Sequence, residues 1–237
     1  MTPLFRSFTM FIRQISRDSM LYAVCIAPLL AALFFRFGIP YIEALLCSYF
    51  SLPTILADYY LLIDLFMAIL TPFLFCFASS MVILTESDEN ISGYLAVTPV
   101  GKKGYLVSRF VLPALISFIV SVILLSLFSL TLWPLSLMLV TCFLASIFSI
   151  VLSLLVVSFS HNRVEGMAVS KLSGIMMFGL LVPFFIFSDI QYLFSVLPSF
   201  WIAKLCYGED YLSILPALLT SFLWITILYR RFEKKLI

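Results

Sequence analysis

The chain has 237 residues, 63% of them hydrophobic and only 11% charged, with a formal net charge of +2 and a mean hydropathy of +1.17. A soluble chain of this size would carry roughly 25% charged residues, and a larger core cannot absorb the deficit, because surface rises too steeply with mass for so few charges to cover it. Lipid is therefore the solvent, and at about 20 apolar residues per crossing there is room for about six spans and no soluble domain.

Residues 4–17 are amphipathic. Leu4, Phe8, Phe11 and Ile15 recur at helical spacing, Phe5 and Ile12 widen that stripe, and Arg6, Arg13 and Arg17 share the opposite face. A helix with one aromatic and one basic face lies in the membrane interface, so residues 1–18 are expected to form an interfacial elbow helix. The first apolar run begins only near Met20 and no small-residue cleavage site follows, so no cleaved signal peptide is expected. A first span is expected from Ser19 to Phe37. The stretch from Gly38 to Tyr60, interrupted by Pro40 and Pro53, is expected to lie on the outer face as a surface or re-entrant helix. The second span is predicted over Leu61–Leu84, with Asp64 near its outer end.

Residues 85–99 change character. Glu86, Ser87, Asp88, Glu89 and Asn90 are followed by an apolar patch that runs into Thr98-Pro99. Thr85 and Ser87 are candidate N-caps, and Glu86, Asp88 and Glu89 favour a helix start through the macrodipole. Ile91, Tyr94 and Leu95 then share one face of a short helix before Pro99 ends it, a face that a groove in another protein could accept. Gly101-Lys102-Lys103-Gly104 forms a cytosolic turn.

Further spans are expected over Tyr105–Thr131 and 135–158, joined by a tight outer turn at Trp133-Pro134. The short inner loop 161–166 leads to a fifth span from Lys171 to Phe187. Residues 188–211 repeat the broken outer character, and a sixth span covers Leu212–Tyr229. Of 14 Lys and Arg residues only Arg36 and Lys204 fall outside in this layout. The positive-inside bias places both termini in the cytoplasm of a plasma-membrane protein, which requires an even number of spans.

The chain lacks a phosphate-binding Gly-x-x-x-x-Gly-Lys-Ser/Thr loop, and its single histidine, His161, has no ligands at metal spacing. No enzyme chemistry, metal or cofactor of its own is expected, and nothing points to nucleic acid. Asp64, an acid inside a span, has two readings: a substrate or gate contact, or a satisfied structural acid. The five cysteines are scattered; Cys47 and Cys206 both fall in outer segments, so a disulfide between them is open.

Several segments resemble the ABC-2-type exporter permeases, most closely those for fluoroquinolone-type drugs. They are Glu86-Ser87-Asp88-Glu89 with Gly93-Tyr94-Leu95-Ala96-Val97-Thr98-Pro99, Arg17-Asp18-Ser19-Met20-Leu21, Asn162-Arg163-Val164-Glu165-Gly166, and Leu197-Pro198-Ser199-Phe200-Trp201. Ser19 stands where the family usually has proline, and Ile91-Ser92 dilutes its glutamate-glycine-threonine core. The resemblance implies an all-α polytopic membrane protein, one permease domain over 1–237 with six transmembrane helices, an interfacial helix, a cytosolic coupling helix (85–99) and short outer-face helices (188–211). It further implies ATPase coupling through Glu86, Asp88, Glu89, Ile91, Gly93, Tyr94, Leu95, Thr98 and Pro99. Partners would be cytosolic ABC ATPase subunits, which hold the ATP and magnesium, and a second permease half, identical or not. The cargo would be an apolar or amphiphilic drug, peptide or lipid. The rival classes are a stand-alone secondary transporter or channel, which should show internal symmetry and buried ion sites, and a membrane immunity protein that sequesters a ligand.

Overall fold

A computed structural model describes residues 3–89 and 101–236, and the described residues are helices and connecting turns with no strand. The elements are α1 (Pro3–Arg17), α2 (Ser19–Leu33), α3 (Ile39–Phe50), α4 (Tyr60–Asp88), α5 (Gly101–Leu106), α6 (Leu112–Phe128), α7 (Leu135–Phe159), α8 (Arg163–Ser173), α9 (Val182–Phe185), α10 (Pro198–Gly208) and α11 (Ile214–Leu236). Among the described residues, five helical stretches are long and apolar enough to cross a bilayer: Ser19–Phe50, Ala57–Asp88, Gly104–Phe128, Leu135–Phe159 and Tyr211–Lys235.

Two of these correct the sequence reading. The first helix does not stop at Phe37. It passes Gly38 and Pro40 through a π turn, Phe34–Gly38, and continues to Phe50. Proline removes one backbone donor and crowds the carbonyl four residues back; the wider π turn relieves that crowding without ending the helix. The second helix, in turn, runs past Leu84 to Asp88, so Thr85 and Ser87 lie in its last turn and are not N-caps. Thr85 instead donates its hydroxyl to the Met81 carbonyl at 2.9 Å.

The fifth predicted span takes a third form. Residues 163–185 are helical but broken into α8, a 3₁₀ stretch over Gly174–Leu180, and α9. Gly179 has a packing reason: a Cβ there would collide with the Ser199 hydroxyl and the Phe200 backbone. Residues 189–196 form a second 3₁₀ stretch. The short helix α10 that follows buries Phe200, Ile202, Ala203, Leu205 and Cys206.

The centre of the bundle is α7. Of its apolar window 72% is buried, against 17% for the first long helix, so α7 is the axis around which the others pack. Because apolar side chains gain little from leaving lipid, small and polar residues hold such helices together. Ser80 and Ser153 share a hydrogen bond at 2.7 Å between α4 and α7, and Ser158 donates to the Leu228 carbonyl on α11 at 3.0 Å. Proline shapes the α4–α6 contact. Pro72 leaves the Ala68 carbonyl without its usual donor, and Ser121 of α6 donates to it at 2.9 Å. Pro113 does the same to Arg109, whose carbonyl accepts the Ser79 hydroxyl of α4. Each helix thus gives the other a serine to satisfy a proline-vacated carbonyl.

All five cysteines are free. Cys206 is buried against the Thr141 hydroxyl at 3.2 Å, while Cys47 lies near the Pro53 carbonyl, so the candidate Cys47–Cys206 disulfide is not formed.

Candidate functional site

The polar side chains that the fold brings together gather at the end of the bundle where α1, the start of α2, the end of α4 and the start of α8 meet. The amphipathic pattern of α1 sorts as its chemistry requires. Phe11 is buried and Phe8 and Ile15 pack on the core, Phe5 and Ile12 are exposed beside them, and Arg13 and Arg17 face outward. The side chain of Arg6 lies outside the described residues.

Below that face lies a buried ion pair. Arg109 and Glu86 are each 1% exposed, with Nη2 of the arginine 2.5 Å from Oε1 of the glutamate. Arg109 Nε donates to Glu86 Oε2 at 3.2 Å, and Tyr105 donates its hydroxyl to the same oxygen at 3.0 Å. Arg109 Nη1 donates to the Ser7 carbonyl on α1 at 3.1 Å. The rings of Phe11 and Tyr105 stand 5.1 and 5.6 Å from the guanidinium carbon, within cation–π range. Glu86, expected among the exposed coupling acids, is therefore an internal group and presents no carboxylate at the surface.

A second cluster joins two of the sequence motifs. Asp18 caps α2 by accepting from the Met20 and Leu21 amides at 3.0 and 3.2 Å, and pairs with Arg163 of the 161–166 loop at 2.5 Å. Partial burial pushes the Asp18 carboxyl up, but the hydrogen bond and charge of Arg163, with the two amides, outweigh it and hold the group below its ordinary 3.8. Asp88, exposed at the end of α4, accepts from the Arg163 amide at 3.1 Å. Asn162 and Glu165 close the start of α8 from both sides: Asn162, the N-cap, accepts from the Glu165 amide at 2.8 Å, and the Glu165 carboxylate accepts from the His161 amide at 2.7 Å. Gly166 follows because a Cβ there would collide with Leu84 of α4. Glu89 is exposed and lines a cleft of about 220 Å³ with Gln14, Asp18, Thr85 and Arg163.

The remaining predicted coupling residues, Ile91, Gly93, Tyr94, Leu95, Thr98 and Pro99, lie outside the described residues. Asp64 has no exposed surface. Its carboxylate accepts from the Leu130 and Thr131 amides at 2.8 and 2.9 Å, the Thr131 hydroxyl at 2.6 Å and the Trp133 indole at 3.1 Å. Asp64 knots the turn between α6 and α7, with its acceptor sites filled.

Sequence reasoning missed Arg109, and a signal for it exists. Arg36-Phe37-Gly38-Ile39-Pro40 and Arg109-Phe110-Val111-Leu112-Pro113 share an Arg-Phe-x-Ile/Leu-Pro pattern. Both sit at a π turn in which the residue before proline bonds five residues back, Ile39 to Phe34 and Leu112 to Val107. In both, the arginine reaches across to another element: Arg36 Nη1 donates to the Ser129 carbonyl at 2.6 Å.

Away from this end, Phe35, Ile39, Leu62, Phe66, Met177 and Phe178 line an open groove of about 460 Å³ walled by apolar side chains. No group of three or more His, Cys, Asp or Glu placed to hold a metal occurs among the described residues.

A family model described as "Fluoroquinolones export permease protein Rv2686c-like" matches residues 11–230. Neither a curated protein nor a solved structure matches the chain.

Proposed function

The chain belongs to the Rv2686c-like family of fluoroquinolone export permeases, an ABC-2-type drug-export family, and on that premise we propose that it is the membrane half of an ATP-driven exporter. The observation that carries the reading is the family match over residues 11–230, which takes in both motifs that meet at the Asp18–Arg163 pair. Cytosolic ABC ATPases would dock at the end of the bundle formed by α1, the end of α4 and the 161–166 loop, and the segment that follows Glu89 would act as the coupling helix. Two permease halves would pair, and cargo would pass outward between them.

Both termini would lie in the cytoplasm. This requires an even number of spans, with the broken stretch that follows the 161–166 loop, residues 167–185, as the fifth of six. At about 1.5 Å per α-helical and about 2.0 Å per 3₁₀ residue, that stretch reaches roughly 32 Å, enough for a hydrocarbon core of about 30 Å. The charge bias supports this orientation, since the two cations on the opposite side are held by the fold. Arg36 bonds the Ser129 carbonyl, and Lys204 bonds the Tyr192 hydroxyl at 2.5 Å and lies over the Tyr192 and Trp201 rings. The apolar groove suits an apolar or amphiphilic cargo, which a wholly apolar wall can hold without leaving polar groups unpaired.

The test is reconstitution with an ABC ATPase that co-purifies with the chain. Export of a fluoroquinolone from proteoliposomes should require ATP and the ATPase, and Leu95→Asp should abolish export while hydrolysis continues. Uphill export by the permease alone would overturn the reading.

A further inference from the structure

We propose that Arg109 is a positioning residue that fastens α1 to α4 and α6, so that displacement of the segment following Glu89 is carried to α1 through Glu86, Arg109 and Ser7. The inference deepens the permease reading and rests on it.

Arg109 is the bulkiest fully buried side chain among the described residues, and its donors are divided between two elements. Nε and Nη2 hold both carboxylate oxygens of Glu86 in the last turn of α4. Nη1 holds the Ser7 carbonyl at the start of α1. The Ser7 and Ser108 hydroxyls, 3.3 Å apart, close the same junction. Packing alone does not require this. Phe8, Phe11 and Ile15 already seat α1 on the core, and a buried ion pair is no more stable than apolar residues of the same volume. A bidentate arginine–carboxylate pair adds direction, since its fork tolerates little rotation of one partner against the other. Its placement is also particular. Arg109 sits in the π turn Val107–Val111, a geometry often found where a side chain is re-aimed for function. Glu86 lies two residues before the end of α4, where a force on the coupling segment would enter the bundle. The elbow helix and the inner ends of α4 and α6 therefore move as one body.

The experiment uses the full chain reconstituted with its partner ATPase and reads drug exported per ATP hydrolysed. Ser7→Cys with Ser108→Cys allows an oxidative cross-link across the junction. In the otherwise native chain the cross-link leaves the ratio unchanged, because the joined parts do not separate; loss of export with hydrolysis retained would overturn the proposal. Arg109→Gln lowers the ratio by about tenfold, in the range of typical coupling energies, and oxidising the cysteine pair in that background restores it until the disulfide is reduced. An unaltered ratio in Arg109→Gln at normal yield would also overturn the proposal. If Arg109→Gln does not assemble, the cross-link in the native background decides. Absence of ATP-dependent export from the native complex would instead overturn the permease reading, and the proposal with it.

Discussion

Arg109 and Glu86 lie 23 residues apart in sequence yet meet as a two-pronged ion pair sealed from solvent, joined by Tyr105 from the same helical run as the arginine. Removing one partner leaves a buried charge uncompensated, which costs about 3–5 kcal/mol. Glu86→Ala should therefore lower unfolding stability in detergent by that amount, and Glu86→Leu with Arg109→Met should recover most of it. A double variant no more stable than the single one would show that the pair contributes more than mutual compensation.

Asp64 makes the opposite case, an intramembrane acid with a structural explanation. Asp64→Ala orphans the Leu130 and Thr131 amides and the Trp133 indole, at about 1–3 kcal/mol for each group left buried. Melting temperature should fall, while the drug concentration giving half-maximal export stays unchanged. A shift in that concentration at native stability would return Asp64 to the transport path.

Gly166 and Gly174 should part company when each is changed to alanine. A methyl group at Gly166 collides with Leu84 and crowds the Met81 methyl at 3.1 Å, whereas nothing lies within 4 Å of one at Gly174. Overpacking of this kind costs about 1–3 kcal/mol, so Gly166→Ala should melt lower and Gly174→Ala should not. Equal melting of both variants would contradict the close contact of α8 with α4.

The Asp18–Arg163 pair should show itself in pH dependence. The folded state holds the Asp18 carboxyl below its ordinary 3.8, so the pair's contribution is complete above that value and fades as pH falls through the lower, folded-state one. The stability gap between the native chain and Asp18→Asn should be constant near neutral pH and narrow below 3.8. A gap that persists unchanged at pH 3 would refute the ion pair.

Topology can be read with single cysteines in a cysteine-free background. Leu132 and Leu193 are highly exposed on predicted outer segments, and Val164 is exposed in the predicted inner loop. Impermeant maleimide added to intact cells should label cysteine at 132 and 193 and spare 164. Labelling at 132 alone would mean that 167–185 does not cross.

Composition and period were enough to read the lipid solvent, the two-faced α1, the turn at Trp133 and the short loop at 161–166, because each is a local property of the chain set against its surroundings. The packed neighbours decided the rest. Whether Pro40 ended a helix depended on a π turn, what filled the acceptor sites of Asp64 depended on donors 66–69 residues away, and whether Glu86 faced outward or into the interior depended on Arg109. In lipid a polar group must find its partner within the protein, and that partner can lie anywhere along the sequence; only the tertiary structure names it.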